Sequence, residues 1–121
     1  MSKRVFLFDE MEPVLKTAPR GGKGEMLGRV VIPDNEPLAP GSPFIASGIN
    51  SILPGGAIGV HKHVNDEEAY IIISGSGDYI DNEGKRHKVK AGDITYCCKG
   101  EDHGMENTGI EPLVFGAVIA K

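Results

Sequence analysis

Glycine and proline recur along the whole of this chain, and their spacing restricts it to short elements. Seventeen glycines and eight prolines are spread over 121 residues rather than gathered in one low-complexity block. Glycine supplies turns with positive φ and proline interrupts regular pairing, so such a distribution punctuates many brief segments. Between the interruptions lie stretches rich in β-branched and aromatic residues: Met26 to Ile32, Phe44 to Leu53, Ala57 to His63, Glu68 to Ser74, Asp78 to Ile80, Arg86 to Val89, Ile94 to Cys98, His103 to Glu106 and Leu113 to Ile119. Nine strands are predicted, and no convincing helix. A 3.6-residue apolar period is plausible only around Met11 to Lys16, where Pro13 and the run Ala18-Pro19-Arg20-Gly21-Gly22 curtail it. Turn chemistry at Gly75-Ser76-Gly77, Asp81-Asn82-Glu83-Gly84 and Ala91-Gly92-Asp93 joins strands at close spacing, which makes an all-β antiparallel sandwich or barrel.

The length leaves room for one domain with one core. Residues 1–24 are charged, glycine-rich near Gly21-Gly22-Lys23-Gly24 and weakly patterned, and are read as an N-terminal arm ahead of a barrel domain over 25–121. The arm either packs along the barrel or adds a strand to a partner; with the loop after Pro33, it is a candidate roof for any cavity. Its Gly-Lys is not a phosphate loop, because the upstream glycine and the following Ser or Thr are absent. A formal charge of −4 and a pI near 5.5 provide no basic footprint, which argues against nucleic acid or an anionic membrane surface as principal partner. The longest apolar run, Tyr70 to Ile73, is too short to span a bilayer, and the opening reaches Asp9 before any signal-peptide core forms. A cytoplasmic protein is expected. Cys97 and Cys98 are adjacent, so on a strand they point to opposite faces, and they read as reduced thiols used for packing.

The chemistry is concentrated in two segments. His61 and His63 are two apart, so on a strand both imidazoles project to one face while Val60 and Lys62 face the other way. Five residues on, past the turn Val64-Asn65-Asp66, Glu68 opens the next strand, and antiparallel pairing can return its carboxylate to the imidazoles. His103 begins a later strand after a glycine turn and is the fourth candidate. Three imidazole nitrogens and one carboxylate suit one divalent transition metal among Mn, Fe, Co, Ni and Zn, and ligand type alone does not choose. Six-coordinate geometry leaves two positions open for water, a bidentate oxygen ligand or dioxygen.

These residues carry a resemblance to the cupins. Gly55, His61, His63, Glu68 and Gly75 stand at the places of the first cupin motif, and Gly92, Gly100, His103 and Asn107 at those of the second. Cys98 stands where the family usually has proline, which removes some turn rigidity and leaves the ligand set intact. Sixteen residues separate the two motifs, as in a minimal cupin. The resemblance implies an antiparallel double-stranded β-helix, a jelly-roll barrel, with the metal held inside one mouth.

Other residues read less sharply. Tyr70 follows Glu68 by two and shares its face, which puts a phenol near the pocket, as wall, substrate hydrogen-bond donor or base. Met105 follows His103 by two and lines the same space. Which of Tyr96 and the two cysteines turns inward depends on a register that the sequence leaves open. Asn107 ties down a turn. His87, Glu67, Glu101 and Asp102 read as solvated.

The leading functional reading is a metal-dependent enzyme acting on a small oxygen-rich metabolite, an isomerase, lyase, decarboxylase or dioxygenase, with Tyr70 orienting one substrate oxygen. The alternative is a non-catalytic module that binds or senses a small molecule in the same pocket. A metal-free epimerase-like sugar cupin is a third. A homodimer is expected, because a barrel this small exposes outer apolar positions such as Ile71 and Ile73.

Overall fold

The structure is a computed structural model that describes residues 3–33 and 38–121. Part of the loop after Pro33, the expected roof, falls on residues 34–37 and lies outside the described residues. The described chain forms β1 (Val14–Thr17), β2 (Glu25–Val31), β3 (Phe44–Ile52), β4 (Ala57–Lys62), β5 (Glu67–Ser74), β6 (Ser76–Ile80), β7 (Arg86–Lys90), β8 (Ile94–Cys97), β9 (Asp102–Glu106) and β10 (Leu113–Ala120). Short 3₁₀ turns occur at Phe8–Glu10 and Pro19–Gly21.

The strands build two sheets, one in the order β1-β2-β3-β10-β5-β8 and one in the order β4-β9-β6-β7. All recorded strand pairs are antiparallel. The expected all-β double-stranded β-helix is the observed architecture. Side chains alternate as a half-buried sheet requires: Leu113, Phe115 and Ala117 of β10 and Glu68, Tyr70 and Ile72 of β5 turn inward, while Ile71 and Ile73 turn out. Ile52, Met105, Leu113 and Phe115 are wholly buried between the sheets. Each such side chain stabilises the fold by about 1.5–3 kcal/mol relative to exposure.

All nine strand segments expected from the sequence are present, with ends shifted by a residue or two. β1 is a tenth. It takes up the second half of the stretch Met11 to Lys16, where the curtailed helical period lies, and the chain is extended there. Its four residues are all exposed and pair with β2 from Val14↔Gly28 to Thr17↔Glu25. Backbone hydrogen bonds rather than buried side chains hold it, so no alternation marks it in the sequence. Residues 14–17 thus form the edge strand of the six-stranded sheet, beside β2 of the same chain. Asn107 ties down its turn as expected: its amide donates to the carbonyls of Ile52 and Glu111, both at 2.8 Å, and its Oδ1 accepts from Gly109 N–H at 2.9 Å.

One irregularity positions the site. β4 and β9 pair Ile58 with Met105 and His61 with His103, so β4 spends three steps where β9 spends two. The extra residue is a β-bulge at Gly59–Val60, and it reverses the facing of everything after it. Ile58 can therefore point into the core while His61, an odd number of residues later, points inward as well.

Candidate metal centre

β4, the turn after it, β5 and β9 bring His61, His63, Glu68 and His103 together, with one ligand atom from each lying within 4.8 Å of every other. Three of these atoms form a nearly equilateral triangle. His63 Nε2 to His103 Nε2, His63 Nε2 to Glu68 Oε1 and His103 Nε2 to Glu68 Oε1 are each 3.1 Å. Donors bound to one ion at right angles, with bonds near 2.1 Å, stand about 3.0 Å apart, so the triangle has the dimensions of one face of an octahedral site. His61 completes the cluster from the more open side, its ring centroid 4.8 Å from that of His103 and 5.1 Å from that of His63. Glu68, His63 and His103 are buried and His61 is half-buried.

The far nitrogen of every imidazole is already engaged. His61 Nδ1 donates to the Gly59 carbonyl at 2.7 Å, and His63 Nδ1 donates to Asp66 Oδ1 at 2.6 Å. His103 Nδ1 lies 2.9 Å from the Tyr79 hydroxyl, which in turn donates to the Tyr96 carbonyl at 3.4 Å. With Nδ1 protonated on each ring, all three Nε2 lone pairs face the common centre, the arrangement that metal-ligating histidines adopt. The donor set fits a divalent transition metal.

Asp66, Tyr79 and Gly59 were not singled out in the sequence. Asp66 had a local signal, a carboxylate three residues after a ligand histidine. Tyr79 had none, because it lies on β6, far along the chain from every ligand.

Burial lowers the His61 pKa, the Gly59 hydrogen bond opposes that shift, and electrostatic repulsion of a second proton among the neighbouring imidazoles and by Arg20 adds to the lowering. The ring is thereby kept neutral, as a ligand must be. Tyr70 is 2% exposed, stacks on His103 with centroids 4.9 Å apart and meets Phe115 edge-on. Burial, then the charge and hydrogen bonding of Glu68, push its pKa well above the usual phenol value. Tyr70 therefore stays protonated and can donate a hydrogen bond; a role as base is disfavoured. Burial likewise pushes Tyr79 up to about 12.

A cavity of about 270 Å³ opens beside the cluster, lined by His61, Glu68, Tyr70 and Asn50, by apolar residues such as Ile58 and Phe115, and by Lys16 and Arg20 of the first 24 residues. Met105 is wholly buried and forms part of the core rather than of this lining. Register settles the remaining candidates. Pairing of Glu68 with Cys97 turns the Cys97 side chain inward and leaves Tyr96 72% exposed, so Tyr96 is not a pocket residue, and Cys98 is exposed too. Glu101 accepts from Cys98 N–H at 2.8 Å and serves the turn before β9. Asp102 pairs with Lys62 at 3.5 Å and His87 with Asp81 at 2.7 Å, all away from the cluster.

Residues 48–119 match the Cupin domain family. The chain is 37% identical over 110 residues to the oxalate-binding protein of Thermotoga maritima, covering 91% of this chain and 88% of that one. It is 34% identical over 92 residues to oxalate decarboxylase OxdC of Bacillus subtilis, covering 73% of this chain and 24% of that one, so it spans about a quarter of that enzyme's length. The crystal structure of a predicted oxalate decarboxylase from Thermotoga maritima is similar at a TM-score of 0.86 and 35% identity, covering 97% of this chain and 98% of that one. With two motifs, a double-stranded β-helix and a matched domain over more than half its length, the chain belongs to the cupin family.

Proposed function

We propose that this protein holds one divalent transition metal with His61, His63, Glu68 and His103 and uses it to bind a small carboxylic acid of the oxalate class. The observation that carries the reading is the 3.1 Å triangle of Nε2, Nε2 and Oε1 atoms, backed by three Nδ1 atoms that are all occupied elsewhere. A bound ion would supply Lewis-acid attraction for carboxylate oxygens. Glu68 contributes negative charge, His61, His63 and His103 remain neutral donors, and the Tyr70 phenol orients an acceptor oxygen. The apolar walls around Ile58 and Phe115 limit water and size. The names of the oxalate-binding protein and oxalate decarboxylase support the ligand class.

A second reading, turnover, is favoured by the likeness to the decarboxylase. Oxalate dianion plus one proton yields formate and carbon dioxide, and such a reaction needs a proton donor near the substrate. Among the described residues, the lining adds no carboxylic acid to Glu68, a ligand in this reading; its other ionisable groups are His61, also a ligand, Tyr70, which holds its proton tightly, and the cations Lys16 and Arg20. Binding is therefore the reading that the chain's own residues support better.

Elemental analysis tests the metal. About one transition metal per chain is expected, with none retained in the double variant His61→Ala, His103→Ala; unchanged metal content in that variant overturns the ligand assignment. Calorimetry with oxalate then tests the ligand, with binding expected to the metal-loaded protein and not to the chelator-treated one. Release of formate on prolonged incubation would move the conclusion to the second reading.

A further inference from the structure

The cavity mouth carries two cations that the metal cluster does not use. Lys16, on β1, and Arg20, in the turn Pro19–Gly21, both line it, and neither has a side-chain hydrogen bond or ion pair among the described residues. Several other basic side chains are committed: Arg86 to Asp78 and Glu106, Lys23 to Glu106, and Arg29 to the Met11 carbonyl.

The backbone holds Arg20 there at a cost. Its φ is 54° and its ψ 34°, the left-handed region that a residue with a Cβ rarely adopts. Among the described residues only Ala18, in the same turn, is another non-glycine with positive φ, while eight glycines occupy the other such positions. Strain of this kind gathers at functional positions.

The turn is also clamped to the metal site. A Cβ on Gly22 would lie 2.0 Å from the Ala57 carbonyl, and one on Gly59 would lie 2.3 Å from the Arg20 carbonyl, so glycines at both places allow backbone to touch backbone. Lys23 and Ala57 exchange hydrogen bonds of 3.1 and 2.8 Å across the same seam. Gly59 is the residue whose carbonyl orients His61. The base of the Arg20 side chain is thereby fixed relative to the cluster, in a cavity whose single acidic lining residue among the described residues, Glu68, belongs to that cluster.

We propose that Arg20 is the anion anchor of this cavity, holding the outer carboxylate of a small dicarboxylate whose other end lies on the metal, with Lys16 adding positive charge at the rim. The inference rests on the metal-and-acid reading above and adds to it a residue and a specificity. A guanidinium presents two parallel N–H donors that match a carboxylate, so two acid groups are preferred over one.

The test uses the full-length protein loaded with Mn(II), titrated with oxalate and with acetate, alongside metal analysis and melting curves. Arg20→Gln is expected to retain one metal per chain, to weaken oxalate by about 10- to 100-fold and to narrow the gap between oxalate and acetate. Arg20→Lys recovers part of the affinity. Arg20→Gly, which relieves the left-handed strain, raises Tm by a few degrees while binding oxalate no better than the glutamine variant. Equal oxalate affinity in wild type and Arg20→Gln, with metal retained in both, overturns the anchor and leaves the metal-and-acid reading standing. Loss of metal in Arg20→Gln also overturns it, since the residue would then support the cluster instead of the ligand. Failure of metal-loaded wild type to bind oxalate refutes both at once.

Discussion

Asp66 Oδ1 lies 2.6 Å from His63 Nδ1 and fixes the ring so that its other nitrogen meets Glu68 and His103. His63 is 3% exposed, whereas Asp66 is only half-buried at the surface turn, so a solvent-reachable carboxylate aims a buried candidate ligand. Removing such an outer partner typically costs 10- to 100-fold in metal affinity. Asp66→Ala is expected to fold normally, to bind metal at the same stoichiometry and to lose about that factor in a chelator competition. Unchanged affinity would show that His63 is oriented by packing alone.

Gly59 serves the bulge, the His61 hydrogen bond and the seat of the Pro19–Gly21 turn together. Alanine there places a methyl 2.3 Å from the Arg20 carbonyl and 2.8 Å from Gly22 N, both backbone atoms that cannot rotate away. Gly59→Ala should destabilise the protein by about 1–3 kcal/mol, as overpacking does, and weaken metal retention with it. Denaturant melts and elemental analysis read the two effects. A wild-type midpoint would mean that the turn can lift from β4 at no cost.

The two thiols differ in reach and in acidity. Burial and the charges of Glu101 and Glu68 push Cys97 up to about 11, and its Sγ–H donates to the Glu101 carbonyl at 3.3 Å. A raised pKa leaves fewer thiolates at a given pH: at pH 8 about one Cys97 in a thousand is ionised. Cys98 is exposed. Alkylation at pH 8 is expected to label one thiol per native chain, Cys98, and two after unfolding, with Cys97 becoming reactive only as the pH approaches 11. Rapid labelling of Cys97 in the native protein would contradict its placement against the core.

The outer face of the six-stranded sheet carries Phe44, Ile71 and Ile73, each between 42 and 50% exposed, beside a cleft that also includes Phe6, Leu38 and Val118. Apolar patches of that kind associate in water. Sedimentation is expected to give twice the chain mass at micromolar concentration, and Ile71→Lys to shift the balance toward monomer. A concentration-independent monomer rejects the expectation of a homodimer.

The sequence by itself determined nine of the ten described strands and pointed to the four candidate donors. Alternation at Glu68, Tyr70 and Ile72, glycine turns between segments and the two-residue spacing of His61 and His63 are local properties that local sterics read directly, while His103 joined them through the likeness to the two cupin motifs. β1 goes unmarked in the sequence because it is stabilised through β2's backbone and its own side chains are all exposed. Tertiary structure alone decided the rest. That Tyr79 supports His103, that Tyr96 faces solvent and that Arg20 reaches the mouth beside His61 depend on registers and seams between segments far apart in the chain. The bulge at Gly59–Val60 is the clearest case: strict alternation from Ile58 turns His61 outward, and one extra residue, admitted because β4 is longer than the β9 stretch it opposes, turns it to the ligands.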